Sequence, residues 1–142
     1  MSKNRPIAIQ GIDHVVLRVR EVGRVQRFYC DVLGCTVEKL QADIGLTQLR
    51  AGRSLIDLVD VAGKLGRMGG AAPGAEGRNM DHVCLRVERL DGPAIAAYLE
   101  ANAVKPGEIV QRYGAEGNGP SMYLEDPEGN IVELKGPPDL SS

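Results

Sequence analysis

Ile12-Asp-His-Val-Val-Leu-Arg-Val19 and Met80-Asp-His-Val-Cys-Leu-Arg-Val87 share six of eight residues at a spacing of 68. An internal repeat of this kind sets the architecture before any single element does. A second echo lies near the end of each half. Ser54-Leu-Ile-Asp57-Leu-Val59 corresponds to Asn130-Ile-Val-Glu133-Leu-Lys135, with an acid at the same place in an apolar run. The chain therefore reads as two copies of one module, about 11–61 and 80–136, within a single domain spanning 1–142.

Both copies carry the same order of elements. His14 to Val19 is rich in β-branched and aliphatic residues and predicts a strand. Val25, Phe28, Tyr29, Val32 and Leu33 fall at helical spacing over Val22–Leu33, and Gly34 stands where a left-handed C-cap belongs. Strand-like runs follow at Cys35–Gln41, Leu46–Ala51 and Leu55–Val61, with Asp43-Ile-Gly45 and Gly52-Arg-Ser54 as turns. In the second copy the spacing predicts a strand over 82–87, a helix over about 93–101 opened by Pro93, and strands near 107–112, 119–125 and 130–135. Asp126-Pro-Glu-Gly129 is a turn by residue chemistry. Each module is β-α-β-β-β, an α+β arrangement. Ala62–Asn79 differs in kind, with six glycines and no apolar period. It reads either as a plain linker or as a cover over a site, and Lys64, Arg67 and Arg78 would let a cover meet an anionic ligand.

The 142 residues are enough to bury a majority of the unfolded surface without a metal or disulfide to hold the fold. A composition 43% hydrophobic and 25% charged is that of a globular chain, and a net charge of −2 predicts no nucleic-acid partner. Five aromatic residues and no Trp argue against a base-stacking platform. The start, Met1-Ser-Lys-Asn-Arg-Pro6, lacks the apolar stretch of a secretory signal, and no run is long enough to span a membrane, so a cytoplasmic location with no membrane partner is expected. Three cysteines form no disulfide framework. Cys30, Cys35 and Cys84 read as small buried hydrophobes, with a reactive Cys84 as the alternative.

The only two histidines, His14 and His82, occupy equivalent repeat positions, and so do the in-strand acids Asp57 and Glu133. Strand alternation places His14, Val16 and Arg18 on one face, and His82, Cys84 and Arg86 on another. An ionised carboxylate flanked by apolar strand residues must be paired, hydrated or ligated. Two imidazoles and two carboxylates on one concave surface would satisfy each other through a divalent ion. Nitrogen and oxygen donors suit Zn, Ni, Co, Mn or Fe(II) better than Ca or a thiolate site. The alternative is two packing histidines and two salt-bridged acids.

Gly11-Ile-Asp-His-Val-Val-Leu-Arg-Val19, Phe28-Tyr-Cys-Asp-Val-Leu-Gly34, Asp81-His-Val-Cys-Leu-Arg-Val87 and Asp126-Pro-Glu-Gly-Asn-Ile-Val-Glu133 together resemble the vicinal oxygen chelate superfamily. That superfamily includes glyoxalase I, fosfomycin-resistance proteins, methylmalonyl-CoA epimerase, extradiol dioxygenases and bleomycin-resistance proteins. The resemblance implies two βαβββ modules forming a curled mixed sheet around a metal cleft. It maps His14, His82 and Glu133 to the common ligands, and Asp57 to a fourth ligand that is Glu in glyoxalase I. Asp is shorter by about 1.5 Å, which is compatible with direct ligation, ligation through water, or a free base.

The resemblance also implies a lyase or isomerase of glyoxalase type. There a metal holds vicinal oxygens and stabilises an enediolate while a carboxylate moves a carbon-bound proton, the catalytic part mapping to Glu133 with Asp57 opposite. Arg18 and Arg78 resemble arginines that glyoxalase I turns on glutathione's carboxylates. Tyr123 and Ser121 resemble fosfomycin-enzyme residues near the phosphonate. Departures are Val61, where glyoxalase I has Asn, and Gly117-Asn-Gly-Pro120, where a basic residue is expected. The expectation is thus a divalent-metal-dependent enzyme on a small 2-oxo or thiol-adduct substrate, working as a homodimer. The alternatives are an extradiol-type dioxygenase, a fosfomycin-type resistance enzyme, or a non-catalytic small-molecule-binding protein. The sequence leaves open whether the four ligands come from one chain or two.

Overall fold

The computed structural model describes residues 5–139. Module 1 comprises β1 (His14–Val19), α1 (Val22–Arg27), β2 (Thr36–Gln41), β3 (Leu46–Ala51) and β4 (Ser54–Asp60). A short helix, α2 (Lys64–Arg67), lies in the glycine-rich segment. Module 2 comprises β5 (Val83–Arg86), α3 (Gly92–Ala101), β6 (Val110–Gly114), β7 (Gly117–Glu125) and β8 (Ile131–Lys135). Each forms its own four-stranded mixed sheet, ordered β1-β4-β3-β2 and β5-β8-β7-β6. β1 pairs with β4 in parallel and β5 with β8 in parallel, while the remaining ladders are antiparallel. A parallel pair needs a long crossover, which here is the helix and the hairpin that follows it. No helix of the described residues is long and apolar enough to cross a membrane.

Period-two alternation explains the packing. Leu17 and Val19 of β1, Leu49 of β3, and Ile56 and Leu58 of β4 turn to one side and are buried. Met122, Leu124, Val132 and Leu134 do the same in module 2. These residues meet Val25, Phe28, Tyr29 and Leu99 of the helical segments in one apolar cluster shared by both modules. The His14 and His82 faces therefore turn away from the shared core.

Several local expectations are altered. The helix expected over Val22–Leu33 is α-helical only to Arg27 and continues as a π turn over Phe28–Val32, where Leu33 N donates to Phe28 O at 3.2 Å. The widened turn brings the consecutive aromatics Phe28 and Tyr29 both into the core. Gly34 ends it with φ of 86°, the left-handed cap. The strand expected over 119–125 begins two residues earlier, at Gly117, and its first part pairs with Gln111–Gly114 of β6. Backbone pairing does not require side chains, and β6 lies at the sheet edge, where irregular residues are tolerated. The glycine-rich segment is held against β1 rather than left free: Arg18 donates to Gly66 O, Gly70 O and Ala71 O at 2.8, 2.8 and 3.0 Å.

Polar contacts fix the modules to one another. Asp126 organises its turn by accepting from Glu128 N and Asn130 N at 2.8 and 3.0 Å. Its other oxygen accepts from the buried Tyr29 hydroxyl at 2.9 Å. Burial pushes the Tyr29 phenol well above its ordinary value, and the Asp126 charge pushes it further, so Tyr29 stays a donor. The Glu128 carboxylate accepts from Arg20 N and Glu21 N ahead of α1. Asn79 bridges Arg18 and Asn130. Replacing Tyr29 by Phe leaves Asp126 one buried partner short and is expected to cost about 1–2 kcal/mol. Urea unfolding measures it; an unchanged midpoint would show that this bond does not join the modules energetically.

Candidate metal centre

The parallel ladders build the same arrangement twice. Asp57, in the centre of its sheet, stands opposite Val16 on one side and Gln48 on the other. Glu133 stands opposite Cys84 and Tyr123. Both acids point away from the core, yet they are 3% and 6% exposed. Each is met by the histidine that opens its module. His14 Nε2 lies 3.9 Å from Asp57 Oδ2, and His82 Nε2 lies 3.2 Å from Glu133 Oε1.

The other nitrogen of each ring is held by the preceding residue. His14 Nδ1 contacts Asp13 Oδ1 at 2.7 Å, and His82 Nδ1 contacts Asp81 Oδ1 at 2.6 Å. A carboxylate accepting the Nδ1 proton leaves the Nε2 lone pair for a ligand, the way metal-bound histidines are oriented. The hydrogen bond that His14 donates to Asp13 raises the His14 value above the ordinary 6.5, with the Asp57 charge adding to it. The bond to His82 holds the Asp81 carboxyl below its ordinary range. Asp13 and Asp81 escaped the sequence reading although both repeats print Asp-His; the exposed acid beside each ligand was the available signal.

Asp57 has one satisfied oxygen and one orphan. Gln48 Nε2 donates to its Oδ2 at 3.2 Å, and Gln41 Nε2 in turn donates to Gln48 Oε1 at 3.3 Å. Asp57 Oδ1 is buried with no hydrogen-bond partner among the described residues. A carboxylate with one orphaned oxygen, whose other oxygen lies 3.9 Å from an imidazole nitrogen, offers the nitrogen and oxygen donors that a divalent ion takes.

The structure brings these residues together as two pairs, not as one quartet. Among the described residues, no group of three or more His, Cys, Asp or Glu is placed to hold an ion. Hollows of about 800, 470 and 490 Å³ are lined by other residues and include none of the four donors. The remaining sequence candidates fall as follows. Arg18 is engaged by the glycine-rich segment, and its Nε is buried without a partner. Arg78 Nη2 lies 3.6 Å from Asp81 Oδ2. The Tyr123 and His82 rings meet in a T-shaped contact, centroids 5.3 Å apart. Ser121 is fully buried and bonded to Arg112, a residue the sequence reading missed. Cys84 is accessible, whereas Cys35 is buried and Cys30 intermediate, so only part of the buried-hydrophobe expectation holds. Packing around the Cys84 sulfur pushes its thiol up to about 11, and the Glu133 charge adds to this.

Comparison with protein families matches residues 11–134 to the Glyoxalase/Bleomycin resistance protein/Dioxygenase superfamily. The chain belongs to this superfamily. It is 28% identical over 131 residues to the virulence protein STM3117 of Salmonella typhimurium, covering 89% of this chain and 83% of that protein. The crystal structure of that protein matches with a TM-score of 0.70 at 25% identity, covering 92% of this chain and 98% of that one. An integron cassette protein from the mobile metagenome of V. pseudocholerae matches with a TM-score of 0.71 at 27% identity, over 94% and 98% of the two chains. A lactoylglutathione lyase from Agrobacterium tumefaciens shares the fold with a TM-score of 0.63 at 20% identity, over 93% and 96%.

Two outcomes test the electrostatics of the metal-free protein. His14 should titrate above 6.5 by proton NMR, so that it stays protonated where an ordinary histidine is already neutral. Asp13→Asn should bring its midpoint back down, and an unmoved midpoint would remove Asp13 from the account. Cys84 should be alkylated slowly by iodoacetamide at pH 8 and much faster as pH approaches 11; rapid alkylation at pH 8 would contradict the raised thiol.

Proposed function

We propose that this superfamily member is a divalent-metal-dependent lyase or isomerase of glyoxalase type, acting on a small 2-oxo or thiol-adduct substrate. We further propose that its site is shared between two copies of the chain. His14 and Asp57 of one copy and His82 and Glu133 of the other would hold the ion. The observation that carries this reading is the pair of half-sites, each a buried carboxylate facing an imidazole whose Nδ1 is already fixed by an aspartate. Two donors are too few for a closed site, and each half turns away from the core of its own chain. Among the described residues the edge strands β1 and β5 each keep one side unpaired and stand beside the two half-sites, which favours pairing between copies.

A bound divalent ion would supply Lewis acidity toward adjacent substrate oxygens. The chain's own residues do the rest. Asp13 and Asp81 keep His14 and His82 in the ligating tautomer. Gln48 holds Asp57 Oδ2 and so orients the free Oδ1. Glu133, nearly excluded from water and next to His82, is the carboxylate placed to take a proton from substrate carbon and return it to the neighbouring carbon. The Tyr123 ring packs against His82 in a T-shaped contact.

Complementation tests the shared site. A chain carrying His14→Ala and Asp57→Ala, and another carrying His82→Ala and Glu133→Ala, should each bind no stoichiometric divalent ion. Co-expressed, they should regain about one ion for every four chains, since about half the dimers would be mixed and each would hold one intact site. Metal analysis and a hemithioacetal assay with several thiols read the result. No recovery in proven mixed dimers would exclude the shared site. A folded wild-type chain without any stoichiometric ion would exclude the metal-dependent reading altogether.

A further inference from the structure

A hollow of about 800 Å³ lies between the two modules and includes none of the four candidate donors. Leu33 and the β3–β4 turn at Gly52 and Arg53 bound it from module 1, and Leu85, Val87 and Ile95 bound it from module 2. The apolar members pack against the shared core yet stay partly exposed. The Tyr98 hydroxyl of α3 donates to Val32 O at 2.7 Å, across the two modules. That bond holds α3 against the π turn, so the space is built into the packing of the modules. The charged lining has one sign. Arg53, Arg86 and Arg89 line the hollow and no described Asp or Glu does, in a chain with 19 acidic and 17 basic residues. Arg86 is engaged by Glu116 at 2.7 Å. Arg53 and Arg89 are exposed, and neither guanidinium forms an ion pair among the described residues, where Arg24, Arg50 and Arg78 each do.

We propose that this hollow binds an amphipathic carboxylate, an apolar body ending in one carboxyl group, with Arg53 and Arg89 holding the carboxylate and the inter-module floor covering the body. Small-molecule sites are mostly apolar, carry a few polar groups that orient the ligand, and favour the junction of two structural units. The body would take Leu33, Leu85 and Ile95 out of water, apolar surface that the modules leave uncovered in each other's company. The planar fork of a guanidinium matches the two oxygens of a carboxylate. A neutral or cationic head would leave both guanidiniums without an acceptor. The apolar rival within the chain is the segment ahead of β1, where Ile7 and Ile9 are 68% and 86% exposed. Its residues 5–11 carry Arg5 and no acid, so a second copy's segment would fill the floor but repel rather than neutralise the rim. The inference uses neither the metal nor the four donors, and stands apart from the function proposed above.

Titration of the full-length protein with dodecanoate, dodecan-1-ol and dodecylamine, each below its micelle-forming concentration and followed by 1H–13C methyl NMR, tests this. Dodecanoate should shift the Leu33, Leu85 and Ile95 methyl signals saturably. The alcohol and the amine should bind at least about fivefold more weakly, since neither offers the guanidiniums an anion. The double variant Arg53→Gln, Arg89→Gln should lose at least about fivefold in dodecanoate affinity and keep its affinity for the alcohol. Both arginines are exposed, so this variant is expected to fold, which thermal melting checks. Ile95→Trp, which fills the floor, should abolish binding of all three. Excess EDTA should change nothing; loss of dodecanoate binding under EDTA would place the carboxylate on a metal and overturn the site. Equal affinity for dodecanoate and dodecan-1-ol, or wild-type dodecanoate affinity in the double variant, overturns it as well. So do the absence of saturable shifts at the three methyl-bearing residues, and nuclear Overhauser contacts from Ile7 or Ile9 to Leu85 in the ligand-free protein, which would give the hollow to the N-terminal segment.

Discussion

Leu17, Leu58, Leu134 and Met122 come from the inner faces of two separate sheets and meet the same helical residues in one apolar cluster. This contact constrains everything else, because strand alternation lets a side chain face the core or the opposite surface and nothing between. Once Ile56 and Leu58 are committed to the core, Asp57 must face outward. The same holds for Glu133 between Val132 and Leu134. The burial that stabilises the chain thus also presents its acids.

Those acids are not on an open surface. The ladder neighbours shield them, leaving Asp57 and Glu133 nearly without solvent. A carboxylate in that position needs partners, and the partners found are incomplete: an imidazole for each, an amide for Asp57, and one oxygen of Asp57 with none. The aspartates before the two histidines fix the rings rather than neutralise the buried acids. Stability and ligand readiness come from the same geometry.

The links between modules are of another kind. Tyr29 to Asp126, Glu128 to the start of α1, and Asn79 to Arg18 and Asn130 join side chains far apart in sequence. They set how the two sheets stand back to back. In that arrangement Arg18, which shares a strand face with His14, is drawn into the glycine-rich segment, and Arg112 of an edge strand comes to lie over Tyr123 near His82. Spacing along the chain carries no record of such choices.

The repeat of Asp-His-Val-x-Leu-Arg-Val, the matched acids and the turn residues were sufficient to read two βαβββ modules, because period-two burial and turn chemistry are local. They also made His14, Asp57, His82 and Glu133 stand out as a set. The π turn at Phe28 and the start of β7 at Gly117, ahead of the expected 119, were not legible, since each depends on what packs or pairs across the sheet. The local pattern determined which residues face away from the core. Only the tertiary structure decided which of them meet: His14 with Asp57 and His82 with Glu133, as two separate pairs. The physical reason is the shared core, which takes the inner faces of both modules and leaves their ligand faces pointing apart.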